Sequence, residues 1–93
     1  MRETARLEVT VHGIVQGVFF RHHAKLEADR LGVTGTVSNA PDGTVAVVAE
    51  GPRETLGRFL AWLQHGPDLA VVERIDTRWC DASGERVGFS IVR

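Results

Sequence analysis

The sequence predicts an α+β chain of the ferredoxin-like α/β sandwich class, ordered βαββαβ, and three observations lead there. Leu7, Val9 and Val11 alternate with Glu8, Thr10 and His12, the period-two signature of a half-buried strand. Leu56, Phe59, Leu60 and Leu63 recur at helical spacing and make one apolar face. Ile75, Thr77 and Trp79 then alternate with Arg74, Asp76 and Arg78, a return to strand periodicity. Two helices covering one face of a four- to five-stranded, mainly antiparallel sheet satisfy that order, with a short last strand at an edge.

Taken in order, a first strand is expected over about Arg6 to His12. A helix over about Arg21 to Leu31 places Ala24, Ala28 and Leu31 on one face, with Phe20 leading in and Leu26 off the stripe, partly exposed. Gly32 supplies its stop. Thr34 to Asn39 and Val45 to Glu50 read as a hairpin around Ala40-Pro41-Asp42-Gly43-Thr44, because fixed φ, a side-chain acceptor and then positive φ make a turn. Gly51-Pro52 ends that strand and opens the second helix, proline being tolerated in a first helical turn. Trp62 lies off the apolar face, and Gly66-Pro67 stops the helix. Asp68 to Val72 is a connection, Glu73 to Cys80 a strand, Asp81 to Glu85 a turn and Val87 to Val92 a last strand.

Ninety-three residues suffice for one small core. With 43% hydrophobic and 25% charged residues the composition is that of a folded globular chain. A net charge of −1 and scattered Lys and Arg argue against nucleic acid as a partner. No apolar run reaches the ~20 residues of a membrane helix, and Met1 to Glu8 lacks the apolar segment of a secretory signal. The lone Cys80 forms no intrachain disulfide and reads as a small apolar filler, which fits a reducing interior. The expected setting is cytoplasmic, with no membrane partner and a monomeric state.

The chemistry concentrates between Gly13 and Arg21, G-I-V-Q-G-V-F-F-R. Glycine admits positive φ and close approach of a ligand to the backbone. The first amides of a helix lack intrahelical partners and lie at the positive end of its dipole. Such a place binds phosphate, and Arg21 adds a planar fork for two phosphate oxygens. The bland alternative is a tight turn followed by a solvated arginine. The glycine spacing matches neither a dinucleotide fingerprint nor a nucleotide phosphate loop. There is no Ser-His-Asp constellation and no zinc-type ligand spacing. His22 and His23 are about 100° apart on a helix and cannot chelate together; His12 and His65 are isolated. No metal and no cofactor are expected.

Val11-x-Gly13-x-Val15-Gln16-Gly17-Val18-x-Phe20-Arg21 resembles the first signature of the acylphosphatase family. Gly35-Thr36-Val37-Ser38-Asn39, followed by Gly43, Val45 and Gly51, resembles its second, and Gly88-Phe89-x-Ile91 its last strand. The resemblance covers nearly all of residues 1–93, which it implies form a single acylphosphatase-like domain of the same fold. It implies hydrolysis of acyl phosphates to a carboxylate and inorganic phosphate, the latter both product and inhibitor. It implies a phosphate cradle of Val15, Gln16, Gly17, Val18, Phe19, Phe20 and Arg21, with catalysis by Arg21 and by Asn39, which orients the attacking water. On residue type alone, an asparagine beside Pro-Asp-Gly is a turn former. Direct attack without metal, cofactor or phosphoenzyme is the implied route.

Two positions depart from the family pattern. Thr36 stands where an aromatic residue is usual, and Ser38 where a basic or longer side chain is common. Lost packing beside the site and a lost cation predict retained activity with a raised KM. The alternatives are a non-catalytic anion-binding module and a carbamoyl-phosphate-handling unit such as larger maturation proteins contain. An RNA-binding sheet would need aromatics with basic flanks, which a chain without Tyr and with four Phe does not offer.

Overall fold

The alternation that begins at Leu7 is part of a longer strand, β1 (Thr4–Ile14), in the computed structural model, which describes residues 3–84 and 87–92. It is followed by α1 (Phe20–Leu31), β2 (Thr34–Asn39), β3 (Val45–Pro52), α2 (Arg53–Leu63), β4 (Val71–Cys80) and β5 (Phe89–Ile91). The strands form one sheet in the order β4-β1-β3-β2-β5. All pairings are antiparallel except β2 with β5. The predicted class and the short edge strand are both present, with five strands and both helices contributing to one core.

One face of the sheet carries that core. Leu7, Val9 and Val11 of β1 and Val45, Val47 and Ala49 of β3 are buried, as the period-two pattern requires. Ala24 and Ala28 of α1 and Leu56, Phe59 and Leu63 of α2 are buried too. Leu31 and Trp62 are half-buried against the cluster, and Leu26 is 53% exposed, off the stripe as expected. The Phe59 ring meets Phe89 edge-on at 5.7 Å and Trp62 in parallel at 6.5 Å. Those contacts tie α2 to the short last strand and to the start of α1, since Trp62 also packs on Phe20 at 5.6 Å.

Several boundaries differ from the expectation, each for a local reason. The β1 strand runs on through Gly13 and Ile14 because its pairing with β4 survives a register shift between His12 and Gly13. At that bulge Gly13 has φ 133°, and an added Cβ would lie 2.0 Å from the Val71 carbonyl oxygen. Glycine is thus required there by the partner strand, not by a ligand. The same pairing draws Val71 and Val72 into β4, shortening the expected connection. Pro52 is the last residue of β3 and caps α2 rather than lying in its first turn. The helix proper ends at Leu63, and Gly66, at φ 68°, closes the final turn as expected, its N–H donating to Trp62 O at 2.8 Å. The final strand is limited to Phe89–Ile91, and the expected turn lies partly outside the described residues, at Glu85. The hairpin loop behaves as its residues suggest: Ala40 N donates to Thr44 O at 2.9 Å, and Asp42 accepts from the Thr44 amide and hydroxyl.

Glu50 is the most buried charged side chain described, 5% exposed. It accepts from Ser83 N and Oγ and from Gly84 N at 2.8–3.0 Å, with Arg6 at 3.8 Å. This fastens the segment after β4 to the middle of the sheet. Lys25 Nζ donates to Phe89 O, joining α1 to β5. Together these contacts bring the edge beside α1.

Candidate active site

Residues 15–19 connect β1 to α1 in an irregular turn whose shape is set by Gly17, φ 76°, and Phe19, φ 62°. Phe19 is the helix N-cap, and its carbonyl accepts from His23 N, starting the helix. Among the described residues, no backbone N–H from Gln16 to Arg21 donates to a carbonyl in a turn, loop or cap. A run of unpaired amides at the start of a helix is electropositive. The first turn of α1 has no acidic residue to complement it. Arg21 sits there instead, a cation where the helix dipole disfavours one. Among the described residues no carboxylate pairs with it. Positive charge is thus accumulated at this point without a counter-charge from the fold, which suits an anionic ligand.

The turn opens on a cleft of about 260 Å³. Val15, Gly17, Phe19, Phe20, Arg21 and His22 form one side, and Asn39 and Ile91 complete it. No acidic side chain lines it. Asn39, the last residue of β2, pairs with Val45 of β3. Its Oδ1 is buried and hydrogen-bonds to nothing among the described residues. A buried acceptor left open costs about 1–3 kcal/mol unless something else satisfies it. An asparagine serving only the turn would spend that oxygen on a nearby backbone amide. Asp42, three residues on, does so.

Six of the eight cleft-lining residues are sequence-predicted site residues, brought together from two elements far apart in the chain. Gln16 and Val18 do not line the cleft. Val18 faces a neighbouring groove. The Gln16 side chain instead turns to the β2–β3 hairpin, where Nε2 donates to Ala40 O and to Thr44 O, both at 2.8 Å. One amide thereby locks the β1–α1 turn to the loop that follows Asn39. Sequence reasoning placed Gln16 among the cradle residues but gave its side chain no such part. The only hint was a two-donor amide facing a turn with spare carbonyls.

Thr36 and Ser38 correct another expectation. They alternate with Val37 and Asn39 along β2, so they stand on the opposite face of the sheet. Neither lines the cleft, and neither can pack beside Asn39 there. Thr36 and Ser38 therefore bear on the far face of the sheet and not on the cleft. Cys80 is free and half-buried at the end of β4. Among the described residues no three His, Cys, Asp or Glu side chains converge, and no helix is long and apolar enough to cross a membrane.

This geometry has relatives. The acylphosphatase family model matches residues 7–91. An acylphosphatase from Nocardioides sp. is 54% identical over 72 residues, covering 77% of this chain and 73% of its own. One from Methylococcus capsulatus is 46% identical over 95% of this chain and 96% of its own. The crystal structure of acylphosphatase from Bacillus subtilis superposes with a TM-score of 0.92 at 34% identity, covering 96% of this chain and 99% of that one. Fold, signature residues and relatives agree over nearly the whole length, and the chain belongs to the acylphosphatase family.

Proposed function

We propose that this chain hydrolyses acyl phosphates, and that the phosphoryl group is held by Arg21 and the amides of residues 15–20 while Asn39 orients the attacking water. The observation that carries this reading is the buried, unpartnered Asn39 Oδ1 in the same cleft as Arg21. The Asn39 side-chain amide, which lines the cleft, hydrogen-bonds the water and turns a water lone pair toward phosphorus. The water oxygen bonds to phosphorus as the bond from phosphorus to the acyl oxygen breaks. That bond's electron pair leaves on the carboxylate, and the water's proton passes to a phosphoryl oxygen or to solvent. A carboxylic acid has a pKa of about 4, so the leaving group needs no general acid. What remains is positioning and charge stabilisation, which a cationic cradle and one fixed amide supply.

The active unit is a single domain spanning residues 1–93, acting as a monomer in the cytoplasm; the low net charge and the unpaired Cys80 favour that setting. Hydrolysis of benzoyl phosphate in isotopically labelled water, with EDTA present, tests the reaction. The expected result is undiminished turnover with the label in phosphate. Label in benzoate, or EDTA inhibition reversed by added metal, would contradict it.

A further inference from the structure

We propose that Phe19 is the platform for the acyl group, which makes this chain selective for aromatic or bulky apolar acyl phosphates. The inference rests on the reading that the adjoining cleft holds the phosphoryl group. Phe19 and Phe20 are neighbours with opposite fates: Phe20 is buried in the core and Phe19 is 69% exposed. Phe19 is also the non-glycine residue with positive φ among those described, at φ 62° and ψ 24°. That conformation is unfavourable for a residue with a Cβ, and glycine or asparagine would adopt it more readily. A large aromatic kept exposed in a strained conformation, where the core makes no use of it, indicates a use outside the core.

Its position supplies that use. Phe19 lines the phosphate cleft and also an adjacent groove of about 290 Å³, whose walls include Val18, Trp62 and Leu69. It is the residue the two share. A cavity of about 150 Å³ accommodates benzene, so an aryl group fits this groove. The Trp62 wall is fixed by its contacts with Phe20 and Phe59, while Leu69, also 69% exposed, lines the groove from the segment after α2. His23 and Asp68 form the polar rim. A phosphoryl group bound at Arg21 thus has next to it a groove of mixed lining, with Val18, Trp62 and Leu69 as its apolar part and Phe19 shared between the two. Aromatic contact of this kind favours an aryl over a methyl acyl group by about three- to tenfold.

The test compares kcat/KM for benzoyl phosphate and acetyl phosphate in the wild type, Phe19→Gly and Leu69→Ser. Glycine suits the backbone conformation at position 19, so the fold is kept. Leu69 lies outside the phosphate turn and reports on the groove alone. The expected result is a benzoyl-to-acetyl ratio about three- to tenfold lower in Phe19→Gly, through a higher KM for benzoyl phosphate, and a smaller fall in Leu69→Ser. A ratio unmoved by either substitution, or equal losses on both substrates, would overturn the inference and leave the phosphoryl site standing. Turnover of neither compound by the wild type would overturn the phosphoryl site, and the inference with it.

Discussion

Arg21 occupies a place where a folding argument alone would not put an arginine. It adds positive charge to the positive end of α1 and has no carboxylate beside it among the described residues. Arg21→Ala is therefore expected to lower kcat/KM by about 10²–10³-fold, the usual cost of removing one donor from such a cradle. Thermal stability should stay level or rise slightly, since a cation leaves the helix N-terminus. Thermal melts alongside kinetics check both halves. Arg21 was legible as a residue type in a place, a fork at a helix start. Asn39 was not, because its type alone reads as a turn former; the proposed role comes from its position in the resembled signature, and its open Oδ1 supports that reading. Gln16 was legible only in part. Its two hydrogen bonds reach residues 24 and 28 positions away, and no local pattern encodes such partners. Gln16→Ala should lower kcat by about tenfold, through loss of two net hydrogen bonds that fix the cradle against Asn39. Steady-state kinetics measures this, and an unchanged kcat would leave Gln16 a purely structural clamp.

At the scale of elements, the alternation of β1 and the apolar face of α2 were enough to place both, because each buries one face against the same core. Strand ends were less legible. Gly13 looked like part of a ligand turn, yet it lies in a bulged ladder whose partner, β4, begins 58 residues later. Polar and glycine positions continue a strand whenever a neighbour offers hydrogen bonds, and that neighbour is invisible to local periodicity. Gly13→Ala tests the assignment. With φ at 133° and the Val71 oxygen 2.0 Å from the new Cβ, it should destabilise by at least about 1–3 kcal/mol in urea titrations. Loss of phosphate binding without loss of stability would return Gly13 to the ligand turn.

The whole molecule depends on joining a marginal last strand to the sheet beside the cleft. Three residues of β5 cannot hold that position alone, and Glu50 anchors the chain just before them. Burial raises the Glu50 pKa, but donors from Ser83 and Gly84, with Arg6 nearby, outweigh it and leave the carboxyl below its ordinary value. Glu50 is thus bound more tightly as the anion in the folded state. Its contribution is complete above the unfolded value of about 4.3 and is lost as pH falls through the lower folded value. Glu50→Gln should lower stability by about 1–3 kcal/mol at neutral pH and flatten the loss on acidification, both read from urea midpoints against pH. The central claim, that one cleft divides its work between a phosphate-binding arginine and a water-orienting asparagine, is tested most directly by Asn39→Ala. Its kcat for benzoyl phosphate should be measured together with the inhibition constant of inorganic phosphate. A large fall in kcat with phosphate inhibition nearly unchanged is the predicted result. Equal loss of both would make Asn39 a phosphate ligand and contradict the division.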